Sequence, residues 1–169
     1  MKLRNSLLLL ALVLAALPSL ASAQRRSPPA VRSDWSGNQL SRPFGLGVMI
    51  GEPTGLSAKF WLDEISAIDG GVAWSFEGDD SFHIHGDYLF HNFDLLAADG
   101  RPLQFYFGGG ARLKFEEANT LFGIRIPVGL AYLFQEQPID VNVELAPIVD
   151  LAPDTDLELN ASVGARYYF

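Results

Sequence analysis

The chain ends in LELNASVGARYYF (residues 157–169), a stretch in which every second residue is apolar. The apolar positions are Leu157, Leu159, Ala161, Val163, Ala165, Tyr167 and Phe169. A period of two is typical of a β-strand that has one apolar and one polar face. Such a strand is also long enough to cross a bilayer when it is tilted.

The same alternation recurs upstream, between residues 44 and 151. It predicts seven further strands, at 44–50, 56–62, 68–76, 82–90, 103–115, 122–134 and 139–151, with an interruption of the last one at Pro147. Most of the connections have four or five residues, and no stretch shows a helical period of 3.6. Eight strands joined in this way predict an all-β, antiparallel up-and-down barrel.

The first 43 residues lack this pattern and divide into two segments. Residues 1–23 combine Lys2 and Arg4, the apolar run Leu7–Leu17 and the small residues Ala21-Ser22-Ala23, which is typical of a cleaved signal peptide. Residues 24–43 are rich in Arg, Pro, Ser and Gly and predict a flexible periplasmic arm. The predicted organisation is therefore a signal at 1–23, an arm at 24–43 and a barrel at 44–169.

Charge and cysteine content exclude several kinds of function. The chain has 12 basic and 20 acidic residues, a net charge of −8, and no cysteine. An acidic protein has no electrostatic attraction for nucleic acid, and a chain without cysteine has neither disulfides nor thiolate metal sites. We expect no cofactor and no nucleic-acid partner.

Period-two alternation does not itself show which face of the barrel points inward. One alternative is a transmembrane barrel with a polar lumen, and the other is a soluble, periplasmic, lipocalin-like barrel that holds an apolar ligand. The polar face favours the first, because it is rich in glycine, which suits a crowded lumen, and because its positive and negative charges are equal in number. Aromatic residues near the strand ends of the apolar face resemble interfacial girdles. The predicted lumen ion-pair network consists of Lys59, Asp69, Asp87, Arg112, Lys114, Arg125, Asp140, Glu144, Glu158 and Arg166.

With these strands and faces, the chain resembles the small bacterial outer-membrane β-barrels of the eight-stranded OmpA/OmpX type. The resemblance covers residues 44–169 and is sharpest in the last strand, which ends in Tyr167 and Phe169 like the insertion signals of such proteins. It implies a monomer in the outer membrane of a Gram-negative bacterium, with a structural or interaction role at the cell envelope. The implied partners are outer-membrane lipid, lipopolysaccharide and the barrel insertion machinery, which would read the C-terminal strand.

Two groups of residues have catalytic or metal-binding chemistry. His83, His85 and Asp87 lie two apart along one strand and form a permissible zinc or copper set, although polar lumen residues would show the same pattern. Some outer-membrane barrels are hydrolases or acyltransferases, and Ser57, Ser75 and Ser162 share the polar face with the histidines. Because no nucleophile elbow or other local signature accompanies these serines, we predict that the protein is not an enzyme.

Acidic residues concentrate in four turns, at 51–55, 77–81, 116–120 and 152–156. In a meander, alternate connections lie at the same rim, so these turns are predicted to form one acidic rim. It is either a solvated surface or a site for the divalent cations that bridge lipopolysaccharide phosphates.

Overall fold

The computed structural model describes residues 41–75, 81–92, 103–116, 119–134, 137–153 and 155–169. The predicted signal peptide and residues 24–40 of the predicted arm lie outside these ranges. Within the described ranges, no helix has the length and apolar character needed to cross a membrane.

Nine β-strands account for most of the described chain. They are β1 (Phe44–Glu52), β2 (Thr54–Trp61), β3 (Ser66–Ser75), β4 (Ser81–Asn92), β5 (Leu103–Phe115), β6 (Thr120–Arg125), β7 (Val128–Leu133), β8 (Ile139–Ala152) and β9 (Asp156–Tyr168). Every neighbouring pair is antiparallel, and β1 pairs with β9, so the sheet closes. Both β6 and β7 pair with β5 and with β8, so together they fill one place in a ring of eight. The predicted eight-stranded antiparallel barrel is confirmed.

The interruption predicted at Pro147 was wrong, because β8 runs through this residue and the break falls at Ile126 and Pro127 on the neighbouring strand. The main chain remains bonded there: Ile126 N–H donates to the Pro147 carbonyl (3.0 Å), and Gly108 N–H donates to the Pro127 carbonyl (2.9 Å). The two prolines lack the N–H groups that would return these bonds. Both missing hydrogen bonds involve Ile126 or Pro127, and the regular ladder is therefore interrupted between β6 and β7.

The first turn is tighter than the predicted 51–55. β1 ends at Glu52 and β2 begins at Thr54, which leaves Pro53 alone between the strands. Gly51 has a φ of 140°, a conformation that glycine adopts without strain, and its carbonyl accepts a hydrogen bond from Thr54 Oγ1 at 2.9 Å.

The register shows how far the strands are offset around the ring. Starting at Gly45, successive paired residues are Lys59, Asp69, Asp87, Gly110, Arg125, Ile148 and Glu158. Gly45 itself pairs directly with Tyr168 on β9, ten residues beyond Glu158. This offset requires strands tilted by about 35–45°, and an eight-stranded barrel of this kind has an interior that side chains just fill.

The apolar face of every strand points outward. Val48, Val143 and Val163 are about half exposed, whereas Lys59, Arg112 and Asp140 are almost completely buried. The lipocalin-like alternative requires the opposite arrangement, with an apolar interior, and is therefore wrong.

Aromatic side chains on the outer face gather toward both rims. At the rim that holds the end of the chain, Phe44 and Phe169 stack with their ring centroids 6.4 Å apart. At the opposite rim, Trp74 contacts Phe82 edge-on at 5.6 Å. Phe76, also predicted to lie in such a belt, is outside the described residues.

Glycines on the inner face make room for larger side chains from neighbouring strands. A Cβ added to Gly129 would collide with the Tyr106 ring, and one added to Gly110 would collide with Asp87 and with backbone. Gly109 points outward, and a Cβ there would meet no atom within 4 Å. Adjacent residues of β5 thus differ in the space available to a side chain.

We expect Gly110→Ala to destabilise the barrel by about 1–3 kcal/mol through overpacking. The matched control Gly109→Ala should change the free energy of unfolding by no more than about 0.5 kcal/mol. Urea unfolding in detergent micelles measures both. Equal effects of the two substitutions would contradict the assignment of faces on β5.

Candidate functional site

Charged side chains line the lumen, and three arginines hold most of them in ion pairs. Nearest the rim that holds the chain end, the Arg166 guanidinium donates from Nε to Asp140 Oδ1 (3.1 Å) and from a terminal nitrogen to Asp69. These residues come from β9, β8 and β3, so the group connects the adjacent strands β8 and β9 with the distant strand β3. Tyr168 Oη donates to the other Asp140 oxygen at 2.6 Å.

The second arginine, Arg125, lies near the middle of the lumen. It donates to Asp87 Oδ2 at 2.9 Å and also to Glu144. Tyr106 Oη donates to the second Glu144 oxygen at 2.9 Å. The Arg125 group therefore joins β6, β4, β8 and β5.

The third arginine, Arg112, lies toward the opposite rim. Its terminal nitrogens donate to Asp150 and Glu158, each at 2.8 Å. Lys114 is 3.3 Å from Glu158 and 3.3 Å from Glu116. This group is the least buried of the three, since the Glu158 side chain is 34% exposed.

Lys59 lies in the lumen with a different kind of partner from the one predicted. Its Nζ donates to His91 Nε2 at 2.7 Å and lies 4.5 Å from the centre of the Trp61 ring and 5.4 Å from that of Tyr106. Among the described residues, Lys59 belongs to none of the ion pairs. Nine of the ten predicted network residues thus belong to the three arginine-centred groups. Lys59 instead lies against the aromatic rings of Trp61 and Tyr106.

Asp150 is a network residue that the sequence analysis missed. The interruption assumed at Pro147 hid its place on the polar face, although the flanking Val149 and Leu151 indicate that place. Tyr168 was also missed as a lumen residue. Tyr106 and His91 were expected on the polar face but were not included in the predicted network, because that network was built from charged residues alone.

Buried apolar and aromatic side chains gather on the inside near the rim that holds the chain end. Trp61, Ala67 and Tyr168 form one buried cluster, and Leu89, Tyr106, Ala131 and Leu133 form another. Charged residues adjoin these clusters, since Tyr168 bonds to Asp140 and Lys59 lies over the Trp61 ring.

His83, His85 and Asp87 face the lumen together, as the alternation predicted. The two imidazole rings lie 5.8 Å apart, centre to centre, while Asp87 is engaged by Arg125. In the described part of the chain, no group of three His, Cys, Asp or Glu side chains is arranged to hold a metal ion.

The serines considered as nucleophiles are not arranged as a triad among the described residues. Ser57 Oγ accepts a hydrogen bond from Arg166 at 3.4 Å rather than contacting a histidine. The side chain of Ser75 lies outside the described residues, and Ser162 faces the partly buried inner side of β9.

Tyr167 and Phe169, the predicted insertion signal, lie at the seam where the barrel closes. The Tyr167 and Phe169 rings are 5.0 Å apart on the outer face. Phe169 N–H donates to the Phe44 carbonyl at 2.9 Å, so the last residue extends the pairing of β9 with β1.

The predicted acidic rim is partly described. Glu52, Glu116 and Asp156 lie at strand ends opposite the rim that holds the chain end; Glu77, Asp79, Asp80, Glu117 and Asp154 lie outside the described residues. At the other rim, Asp63 accepts bonds from the N–H groups of Ile65 (2.9 Å) and Ser66 (2.8 Å). The Ile65 N–H, followed by that of Ser66, lowers the pKa of the Asp63 carboxyl and fixes the turn between β2 and β3.

Comparison with solved structures supports the architecture. The chain is similar to the N-terminal β-barrel domain of OprF from Pseudomonas aeruginosa, with a TM-score of 0.61 and 15% sequence identity, over 75% of this chain and 96% of that domain. The two chains share a barrel fold. No protein-family profile matches the chain, and no curated protein matches it in sequence.

We expect Arg125→Met to cost about 3–5 kcal/mol of stability, because it leaves Asp87 and Glu144 buried without their cation. The control Lys114→Met removes a cation from a more exposed group and should cost less than about 1 kcal/mol. Both values follow from urea unfolding in micelles at neutral pH. An Arg125 variant as stable as the Lys114 variant would contradict a tightly paired lumen.

Proposed function

We propose that the protein is an outer-membrane β-barrel with a plugged polar lumen and a structural or interaction role at the cell envelope, without catalysis. The observation that carries this proposal is the inverted distribution of side chains: apolar residues cover the outside, and paired charges fill the inside. Water does not stabilise such an exterior, whereas the hydrocarbon of a bilayer does.

A conducting pore is disfavoured by the contents of the lumen. Arg166, Arg125 and Arg112 each bond to carboxylates on other strands at successive levels. An eight-stranded barrel has little interior space beyond what side chains occupy. The ion pairs and the apolar clusters near the chain end therefore support a plug.

The proposed cellular location rests on the same distribution of side chains and on the predicted signal peptide. Residues 1–23 would direct export and be removed, and the barrel would insert as a monomer into the outer membrane of a Gram-negative bacterium. The likeness to an OprF barrel domain supports this location at the level of the fold. The proposed partners are membrane lipid, lipopolysaccharide and the insertion machinery that would read the β9 strand.

Membrane fractionation tests the proposal. The protein should remain in the outer-membrane fraction after washing with carbonate or urea, since its apolar band is embedded in lipid. Release into the soluble fraction would contradict the proposed location.

Contact with lipid also has an energetic signature. Val163 is outward, half exposed and near the middle of β9, so Val163→Arg should cost about 2–4 kcal/mol in phospholipid vesicles. Leu62 is similarly exposed but lies in the turn after β2, and Leu62→Arg should be within about 1 kcal/mol of wild type. Reversible unfolding in vesicles measures both variants, and a neutral Val163→Arg would contradict a lipid-facing exterior.

Deletion of Phe169 should impair insertion more than it impairs the stability of the folded barrel. The ring is largely exposed and contributes little packing, yet it completes the strand that the insertion machinery would read. The control Phe134→Ala removes another exposed aromatic ring from the same rim. Outer-membrane accumulation should fall for the deletion and not for the control, and equal accumulation would argue against a terminal insertion signal.

A further inference from the structure

Two buried histidines in the lumen have ring nitrogens without hydrogen-bond partners. His83 is 1% exposed and His85 is 7% exposed. Neither nitrogen of His83, nor Nδ1 of His85, has a partner among the described residues. Buried polar atoms are normally satisfied, and a metal ion satisfies an imidazole nitrogen by accepting its lone pair.

The spacing of the two rings suits a shared metal ion. Residues two apart on β4 project on the same side, and the ring centroids are 5.8 Å apart. A metal bound at about 2.0 Å by one nitrogen of each ring would hold the centroids roughly 5–6 Å apart. The main-chain positions of His83 and His85 therefore need no change.

A third donor, the thioether of Met49, faces the same part of the lumen. The register row from Met49 to His83 passes through two small residues, Gly55 and Ala73. Both the Met49 methyl group and the His85 ring lie within 2.9 Å of the position that a Cβ on Gly71 would occupy. Met49 and His85 are thus close neighbours over a glycine.

The cations next to the two histidines are neutralised by carboxylates. Lys114 and Arg112 are the cross-strand partners of His83 and His85, and they are paired with Glu116, Glu158 and Asp150. Two imidazoles and one thioether are ligands that suit copper, and the thioether favours its reduced, monovalent state.

We propose that His83, His85 and Met49 form a binding site for Cu(I) in the lumen. His83 is the third residue of β4, so the site lies close to the rim opposite Phe169. Asp87, considered from the sequence as the third ligand, is held by Arg125 and is replaced by Met49. The site depends on the folded barrel and not on where in the cell the barrel resides.

Competition with a Cu(I) chelator under anaerobic conditions tests the proposal. The refolded full-length protein in detergent micelles should remove one equivalent of Cu(I) from bicinchoninate. His83→Gln and His85→Gln should each abolish this uptake, and Met49→Leu should weaken it at least tenfold. The control His91→Gln changes the lumen histidine that contacts Lys59 and should leave uptake unchanged.

X-ray absorption of the copper-loaded protein provides a readout that does not depend on the histidine variants folding. It should show two nitrogen ligands and one sulfur ligand, and Met49→Leu should remove the sulfur. The proposal is overturned if the folded wild type takes up no stoichiometric Cu(I), if uptake is unaffected by Met49→Leu, or if the spectrum contains no sulfur. Its failure leaves the envelope proposal intact, because fractionation tests that proposal separately.

Discussion

The closure of eight tilted strands into a ring makes one face of every strand an interior, and the rest of the structure depends on this constraint. Side chains just fill the interior of an eight-stranded barrel, so a charge placed there needs a partner within the protein. Each of the three arginines meets this requirement by bonding to two carboxylates from other strands. The outer face presents an apolar band, as the proposed position in a bilayer requires.

Filling the interior requires side chains of very different sizes at neighbouring positions. Tyr106 lies against Gly129 and bonds to Glu144, so one glycine makes room for a ring that also satisfies a carboxylate. Tyr168 lies against Gly45 and bonds to Asp140 in the same manner. Glycine on the polar face is thus a packing feature, and it accompanies the ion pairs instead of merely weakening the strands.

Much of this arrangement could be predicted from the sequence because the side-chain period of a strand directly divides its residues between two faces. The alternation in residues 157–169 identifies both the strand and the inward position of Arg166. It does not reveal the partner of Arg166, since Asp69 is 97 residues away and is brought near only by the register of the closed ring. Lys59 faces inward as predicted, yet it bonds to His91, because pairing across the lumen depends on height along the axis. Asp150 was missed for a local reason, the assumption that the strand is interrupted at Pro147.

Quenching of native tryptophan fluorescence by brominated phospholipid tests the central claim, that the apolar face contacts lipid and the polar face encloses the lumen. Trp74 is 46% exposed on the outer face, and Trp61 is 1% exposed on the inner face. Two single-tryptophan variants in vesicles, with the other tryptophans replaced by phenylalanine, report on these two positions separately. We expect strong quenching of Trp74 and little quenching of Trp61. Equal quenching of the two, or quenching of Trp61 alone, would contradict the account.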